Sequence, residues 1–390
     1  MARYGGDHSL NRTLRHTEPM STSSDSSSQT HTEATASAPS KRASLPSSWI
    51  IRLGKFVWTT MWRIMMSKLA PSSKGGEYIR PESQFRQTVT EGQTYPPATE
   101  RYQLIVGMGC PWAHRTLVVR ALKGLESAIS VVTVSPAPDA GIWVFDQEME
   151  GCQTLPELYA LAQPGYQGRC TVPVLWDAET KTIVNNESSE IIVILNEAFN
   201  QFSTHSELDL YPDDHRDTIH EWNDRIYHAI NNGVYRCGFA QTQAAYDQAC
   251  EELFSLLDEL DERLATRRYV CSDMGCTQAN QRPTLTDVRL FTTLFRFDIV
   301  YYGLFKCNRR RIRDYANLGL YLRDLYQLPG VAETCDLESV KRDYYGNLFP
   351  LNPGGIIPSG PDITNLNAPH HRDTLPRSPE SQSTEKTALA

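Results

Sequence analysis

The segment Gly109-Cys110-Pro111-Trp112-Ala113-His114-Arg115 places a cysteine where a short apolar run gives way to a helical pattern. A thiol at a strand-to-helix junction faces unpaired backbone N–H groups and the positive end of the helix, and both favour the thiolate, its reactive form. Pro111 suits the first helical position, where its missing N–H would have had no intrahelical partner. The arrangement predicts a thiolate populated at neutral pH and a catalytic Cys110, against the commoner fate of a buried, small apolar cysteine. Ala113 stands where a second thiol would close a local disulfide, so an adduct at Cys110 must be resolved by an external thiol. Cys271 and Cys276 have a spacing that suits a metal, but no second pair or histidine lies near, and they read as two loop thiols. Thr284-x-x-Asp287 before an apolar run is a capping-box pattern and reads as a folding signal. Arg309-Arg310-Arg311 with Arg313 reads as a solvated face, without the interleaved aromatics of a nucleic-acid site.

The elements that must position Cys110 follow from periodicity. Tyr102–Val106 reads as a strand and Pro111–Leu125 as a helix ending near Gly124. Ile129–Val134, Thr171–Trp176 and Thr182–Val184 read as further strands, and Ser188–Asn196 as the start of another helix. This β-α-β, then β-β-α order defines a small α/β domain, and after Tyr211 the pattern is helical almost throughout, giving α/β plus all-α.

The chain has 390 residues and a net charge of −8, which excludes a generally basic protein drawn to nucleic acid. Residues 1–75 carry ten basic and four acidic residues, a net of +6, and the remainder carries −14. Residues 1–48, with six Ser between positions 21 and 28, and residues 360–390 are too poor in apolar side chains to offset the entropy of ordering and are expected to be disordered. Between them, 49–69 reads as a basic amphipathic helix. Arg52, Lys55, Thr59 and Arg63 share one face, and Trp49, Leu53, Val57, Trp58, Met61 and Trp62 cover much of the rest. Its longest run free of charge and glycine is too short to span a bilayer, which leaves an interfacial membrane helix or a helix packed on the body, with a transit peptide disfavoured by the acidic residues upstream. Nine scattered cysteines and the lack of a secretory-signal pattern predict free thiols and a reducing compartment. The expected location is cytoplasmic, with the basic arm leaving mitochondrial or membrane-peripheral placement open.

Cys110-Pro-Trp-Ala-His-Arg and Leu122-Lys-Gly-Leu-Glu126, followed in order by Thr171-Val-Pro-Val-Leu-Trp-Asp177, Val184-Asn-Asn-Glu-Ser-Ser-Glu190, Asn231-Asn-Gly-Val-Tyr-Arg236, Arg296-Phe-Asp298 and Asp343-Tyr-Tyr345, resemble the glutathionyl-hydroquinone reductases, the Xi class of glutathione transferases. The resemblance runs from about Gly76 to Pro358. It implies a thioredoxin-like N-terminal domain over 76–200 and an all-helical glutathione-transferase C-terminal domain over 205–350. It implies a cis Val172-Pro173 bond whose preceding residue offers its backbone to glutathione, and glutathione contacts at Trp143, Arg169, Thr171, Val172, Glu187 and Ser188. Ser188 also suits plain N-capping. Tyr235, Tyr301 and Tyr344 match tyrosines around the aromatic substrate, with Tyr235 as proton donor and either Tyr344 or Tyr345 facing the pocket. The implied activity is reduction of glutathionyl-hydroquinones through a Cys110–glutathione mixed disulfide. Glutathione is the co-substrate, with no permanently bound cofactor or metal and no nucleic-acid partner. The alternatives are an omega-like thiol transferase acting on protein–glutathione mixed disulfides or dehydroascorbate, and a non-catalytic docking module. A homodimer is implied too, and Trp49–Leu69 offers peripheral membrane contact.

Overall fold

The computed structural model describes residues 48–137, 141–272 and 281–375; most of the expected arm 1–48, Cys276 and residues 376–390 lie outside them. The chain divides after Gly54 into two units. The described part of the first is the opening of α1 (Ser48–Leu69), a helix containing no acidic residue. The second unit, from Lys55, holds all the elements that follow.

Its first half comprises β1 (Tyr102–Val106), α2 (Pro111–Leu122), β2 (Ser130–Pro136), β3 (Trp143–Met149), β4 (Cys152–Thr154), α3 (Leu155–Ala162), β5 (Val174–Asp177), β6 (Thr182–Asn185) and α4 (Ser188–Glu197). One six-stranded sheet runs β4-β3-β2-β1-β5-β6, with β1 and β2 parallel and the other neighbours antiparallel. The central strand β1 buries Leu104, Ile105 and Val106 completely, as a strand covered on both faces requires. α2 packs on α4 within this half and reaches the helix Leu285–Arg296 of the helical half. The third expected strand starts at Val174 rather than Thr171, because Pro173 has no N–H for a ladder. The β3–β4 hairpin and α3 are additional to the predicted pattern. The hairpin is an edge with mostly half-buried and exposed residues, and it turns through Glu150 and Gly151, both at positive φ.

The second half comprises α5 (Arg216–Ile226), α6 (Gly233–Gly238), α7 (Gln243–Leu264), α8 (Leu285–Arg296), α9 (Leu318–Tyr326) and α10 (Leu337–Lys341). The expected capping box is present: Thr284 donates to Asp287 from its backbone N at 2.7 Å and its hydroxyl at 2.9 Å. Asp287 also accepts from the Val270 N–H at 2.9 Å and the Tyr321 hydroxyl at 2.6 Å, so one buried carboxylate ties α8 to α9 and to the preceding loop. Three π-turns extend the helices at Tyr227–Asn231, Phe297–Tyr301 and Arg342–Gly346. Such widened turns redirect side chains and recur at functional sites.

Two segments without regular structure matter to the site. Residues 70–101 form a strap that pairs with the β6 edge through Gln87 N to Val184 O (3.0 Å) and Asn186 N to Phe85 O (3.0 Å). The strap is pinned to the start of α7, where Gln241 N donates to Gly76 O at 3.1 Å and the Thr242 hydroxyl to Gly75 O at 2.9 Å. At the other end, residues 360–375 are ordered, which corrects the expectation of disorder from Gly360 onward. Leu366 and Leu375 are buried, and Arg372 donates to the carbonyls of Leu264, Arg267 and Arg268. Acceptors on a neighbouring element supply the order that the tail's own composition cannot. The basic run is paired: Arg309 with Glu251, Arg311 with Asp314, and Arg310 over the Tyr315 ring at 4.0 Å.

Candidate active site

Cys110 occupies the N-cap of α2, with Pro111 in the first turn. Its thiol donates to the Val172 carbonyl at 3.7 Å, and the Val172-Pro173 bond is cis. The nucleophile therefore lies between the N-terminus of α2 and the segment leading into β5.

The loop before Cys110 is gripped from the helical half on two sides. From the end of α8, Arg296 donates through Nε to Gly109 O at 2.9 Å and through its terminal nitrogens to Met108 O at 3.0 Å and His114 Nδ1 at 2.8 Å. With Nδ1 accepting, His114 donates from Nε2 to the Thr334 hydroxyl at 2.8 Å, the tautomer this network requires. Burial, with Arg296 beside it, holds His114 well below its ordinary pKa, so the ring is neutral. From the π-turn after α10, Asp343 accepts the Gly109 N–H at 3.2 Å. A side chain at position 109 would bring its Cβ to 2.2 Å from the Asp343 carboxylate, which is why glycine is needed there.

A cavity of ≈ 250 Å³ opens over the thiol, walled by Cys110, Trp112, Trp143, Arg169, Thr171, Val172, Tyr235 and Tyr344, among others. Five of the predicted glutathione and substrate contacts (Trp143, Arg169, Thr171, Val172 and Tyr344), together with both predicted catalytic residues, thus meet in one place. Tyr344 is the tyrosine on the wall, whereas the Tyr345 hydroxyl turns away to donate to Ile299 O at 3.1 Å. Tyr301, the other expected substrate contact, is fully buried and is not on this wall; its hydroxyl lies 3.0 Å from that of Tyr344. The Tyr235 and Tyr344 hydroxyls are 2.5 Å apart. Burial raises the pKa of all three phenols, so each is neutral at physiological pH and able to donate.

Glu187 and Ser188 lie outside this wall, at the N-terminus of α4. The N-cap is Glu187, whose carboxylate accepts from Ser189 N at 3.1 Å and the Ser83 hydroxyl at 3.0 Å. Capping is therefore not the work of Ser188, whose hydroxyl instead accepts from the buried guanidinium of Arg115 at 3.3 Å. Burial works against ionisation of Glu187, but the hydrogen bonds from Ser189 and Ser83 outweigh it and hold the pKa below its ordinary value. The helix N-terminus, a buried cation beneath it and an ionised carboxylate beside it suit the carboxylate and ammonium of an amino-acid headgroup.

The thiol departs from expectation. Burial pushes the Cys110 pKa up, and the N–H groups of Ala113 and Trp112 with the charges of Arg296 and Arg80 offset this only in part. The helix terminus acts as the sequence implies, but the apolar walls of a deep pocket outweigh it. Sequence reasoning also passed over Tyr78 and Arg80, which reach the cavity from the strap. Arg80 lies 3.9 Å over the Trp112 ring, and no motif marks it. Arg296 and Asp343 lay inside recognised motifs without an assigned role.

A thioredoxin-like domain with a cysteine at a helix N-terminus, roofed by a helical domain that supplies phenols, defines a cysteine-type glutathione transferase. Residues 109–198 match the family "Glutathione S-transferase, N-terminal domain" and residues 243–324 "Glutathione S-transferase, C-terminal domain". Glutathionyl-hydroquinone reductase YqjG of Escherichia coli is 42% identical over 333 residues, 81% of this chain and 97% of that protein. The glutathione-bound structure of YqjG from Escherichia coli K-12 aligns with a TM-score of 0.68 at 42% identity, covering 74% of this chain and 96% of that one. Glutathionyl-hydroquinone reductase PcpF of Sphingobium chlorophenolicum is 44% identical over 312 residues, 78% of this chain and 94% of its own. The glutathione-S-transferase Xi from Phanerochaete chrysosporium aligns with a TM-score of 0.69 at 42% identity, over 73% of this chain and 98% of that one. The chain belongs to the glutathionyl-hydroquinone reductases, the Xi class of the glutathione transferase superfamily.

Proposed function

We propose that this protein reduces glutathionyl-hydroquinones to hydroquinones, with glutathione as co-substrate. The ionised Cys110 sulfur attacks the sulfur of the conjugate. A Cys110–glutathione disulfide forms as the bond between that sulfur and the ring carbon breaks. The ring carbon takes up a proton, in net terms the one lost by the Cys110 thiol, and hydroquinone leaves. Tyr235, neutral and beside the thiol, is the proposed proton donor, with Tyr344 bonded to it to hold and recharge it. A second glutathione attacks the mixed disulfide as its thiolate. Glutathione disulfide departs, and the proton that this glutathione gave up returns to Cys110.

The observation that carries the reading is the shared cavity: a nucleophilic sulfur, the proposed glutathione-contacting Trp143, Arg169 and Val172, and neutral phenols face one space. The resemblance favours a homodimer built through the helical domain, which the solution mass will check. Cytoplasmic residence is supported by the cysteines, all eight of which are free among the described residues.

Purified full chain given glutathionyl-menadiol and excess glutathione is expected to release menadiol. Cys110→Ala should lower turnover at least about 1,000-fold, and Tyr235→Phe about 10- to 100-fold. Because burial raises the thiol pKa, kcat/KM should climb with pH by up to about tenfold per unit through neutrality instead of levelling off below it. Equal rates for wild type and Cys110→Ala would end the proposal.

A further inference from the structure

Helix α1 carries more apolar surface than the catalytic unit covers. Its last turns are seated: Met66 and the following Ala70 are fully buried, and Trp62 and Leu69 pack against the core. At about 100° per residue, Val57, Met61 and Ile64 point away from that seat and Phe56 lies at the edge of their arc, and they are 47, 50, 59 and 69% exposed in that order. Scattered exposed apolar residues are ordinary, but a whole helix face of them marks an interaction site. Trp58 meets Phe349 edge-on at 6.0 Å, and Phe349 is itself exposed, so the patch continues past the helix.

Charge decides what covers this face. The helix has no acidic residue, and Arg63 flanks the apolar arc. A second copy of α1 laid against the first would bring arginines together with no carboxylate on either helix to pair them. Residues 1–75 hold a net +6 while the rest of the chain holds −14, so a negatively charged surface attracts this end and repels the body. No described helix is long and apolar enough to cross a membrane.

We propose that α1 docks on an anionic phospholipid surface. It lies in the interfacial plane, with Phe56, Val57, Met61 and Ile64 toward the acyl chains and Arg63 at the phosphates. Because Leu69, at the far end of the same helix, is part of the catalytic cavity wall, docking brings the reactive thiol to the bilayer.

The test is co-sedimentation of the full chain with phosphatidylcholine vesicles, with and without phosphatidylserine. Phosphatidylserine should tighten binding about tenfold or more, and high salt should reverse the gain. The double variant Val57→Glu/Ile64→Glu should lose at least about tenfold in vesicle affinity while its melting temperature stays that of the wild type. Wild type remaining in the supernatant, equal binding to neutral vesicles, or undiminished binding of the double variant would each overturn the proposal. A drop in solution mass of the double variant, with wild type unbound to vesicles, would instead assign the face to a second copy of the chain.

Discussion

Asp343 pays a stability penalty for its place beside the nucleophile. Its side chain is 8% exposed, and one carboxylate oxygen, Oδ1, has no hydrogen-bond partner among the described residues. Burial, opposed by Arg342 and the Gly109 N–H, raises its pKa from 3.8 to about 6. A carboxyl whose folded pKa is raised stabilises the fold fully below its unfolded value and loses that contribution as pH rises through the folded one. At pH 7 the cost is on the order of 1–3 kcal/mol. Asp343→Asn keeps an acceptor for Gly109 and removes the charge. It should therefore raise the urea midpoint at pH 7 and leave it nearly unchanged at about pH 4, where the native carboxyl is already protonated. A midpoint gain that is the same at both pH values would show that the effect is not electrostatic. At this scale the sequence was readable where a residue's setting comes from its own neighbours, as for Cys110 at the helix start, whereas the cis bond after Val172 was implied only by the family resemblance. Asp343 and Arg296 were visible as motif members, but their roles depend on contacts that cross from one domain to the other, 234 and 187 residues away along the chain.

Asp287 shows how much one element terminus can hold. The motif implied a cap, and the structure adds the Val270 N–H and the Tyr321 hydroxyl to the same buried carboxylate. Asp287→Ala would strand all of these donors in the interior, and a loss of about 3–5 kcal/mol is expected, measured as a lower urea midpoint. A drop under about 1 kcal/mol would reduce Asp287 to an ordinary N-cap. The long helix α7 carries a clear period because one face of it meets the core, whereas α2 and α8 are buried on nearly every side and announce themselves by their caps, Pro111 and the Thr284–Asp287 box. The β3–β4 hairpin was not, because an edge strand needs little apolar alternation and its Glu-Gly turn lacks the asparagine or aspartate that announces such a loop. Residues 360–375 escaped for the opposite reason: Gln327 and the carbonyls ending α7 hold them, and none of those partners is local.

Across the whole molecule, the active site is one part made from two domains. Arg296 spans them, answering Met108 O and Gly109 O in the nucleophile loop and Thr292 O in its own helix. Arg296→Met keeps the bulk of the side chain and removes those donors. It should lower kcat by about 100-fold or more and destabilise the fold by about 3 kcal/mol. Unchanged kcat with lowered stability would leave Arg296 a purely structural residue. In urea, loss of activity and loss of intrinsic fluorescence are expected to coincide, because the catalytic loop cannot be released while the helical domain remains folded.

The same grip decides what an incomplete copy of the protein can do. A chain caught during synthesis, or one whose helical half has melted, presents Cys110 without the guanidinium and aspartate that shape its loop. Such copies lack the assembled cavity and cannot turn over substrate, while their thiol, released from burial, ionises more readily and is freer to trade disulfides. Completing the fold then both builds the cavity and shelters the thiol, so each finished molecule gives up indiscriminate reactivity for selectivity.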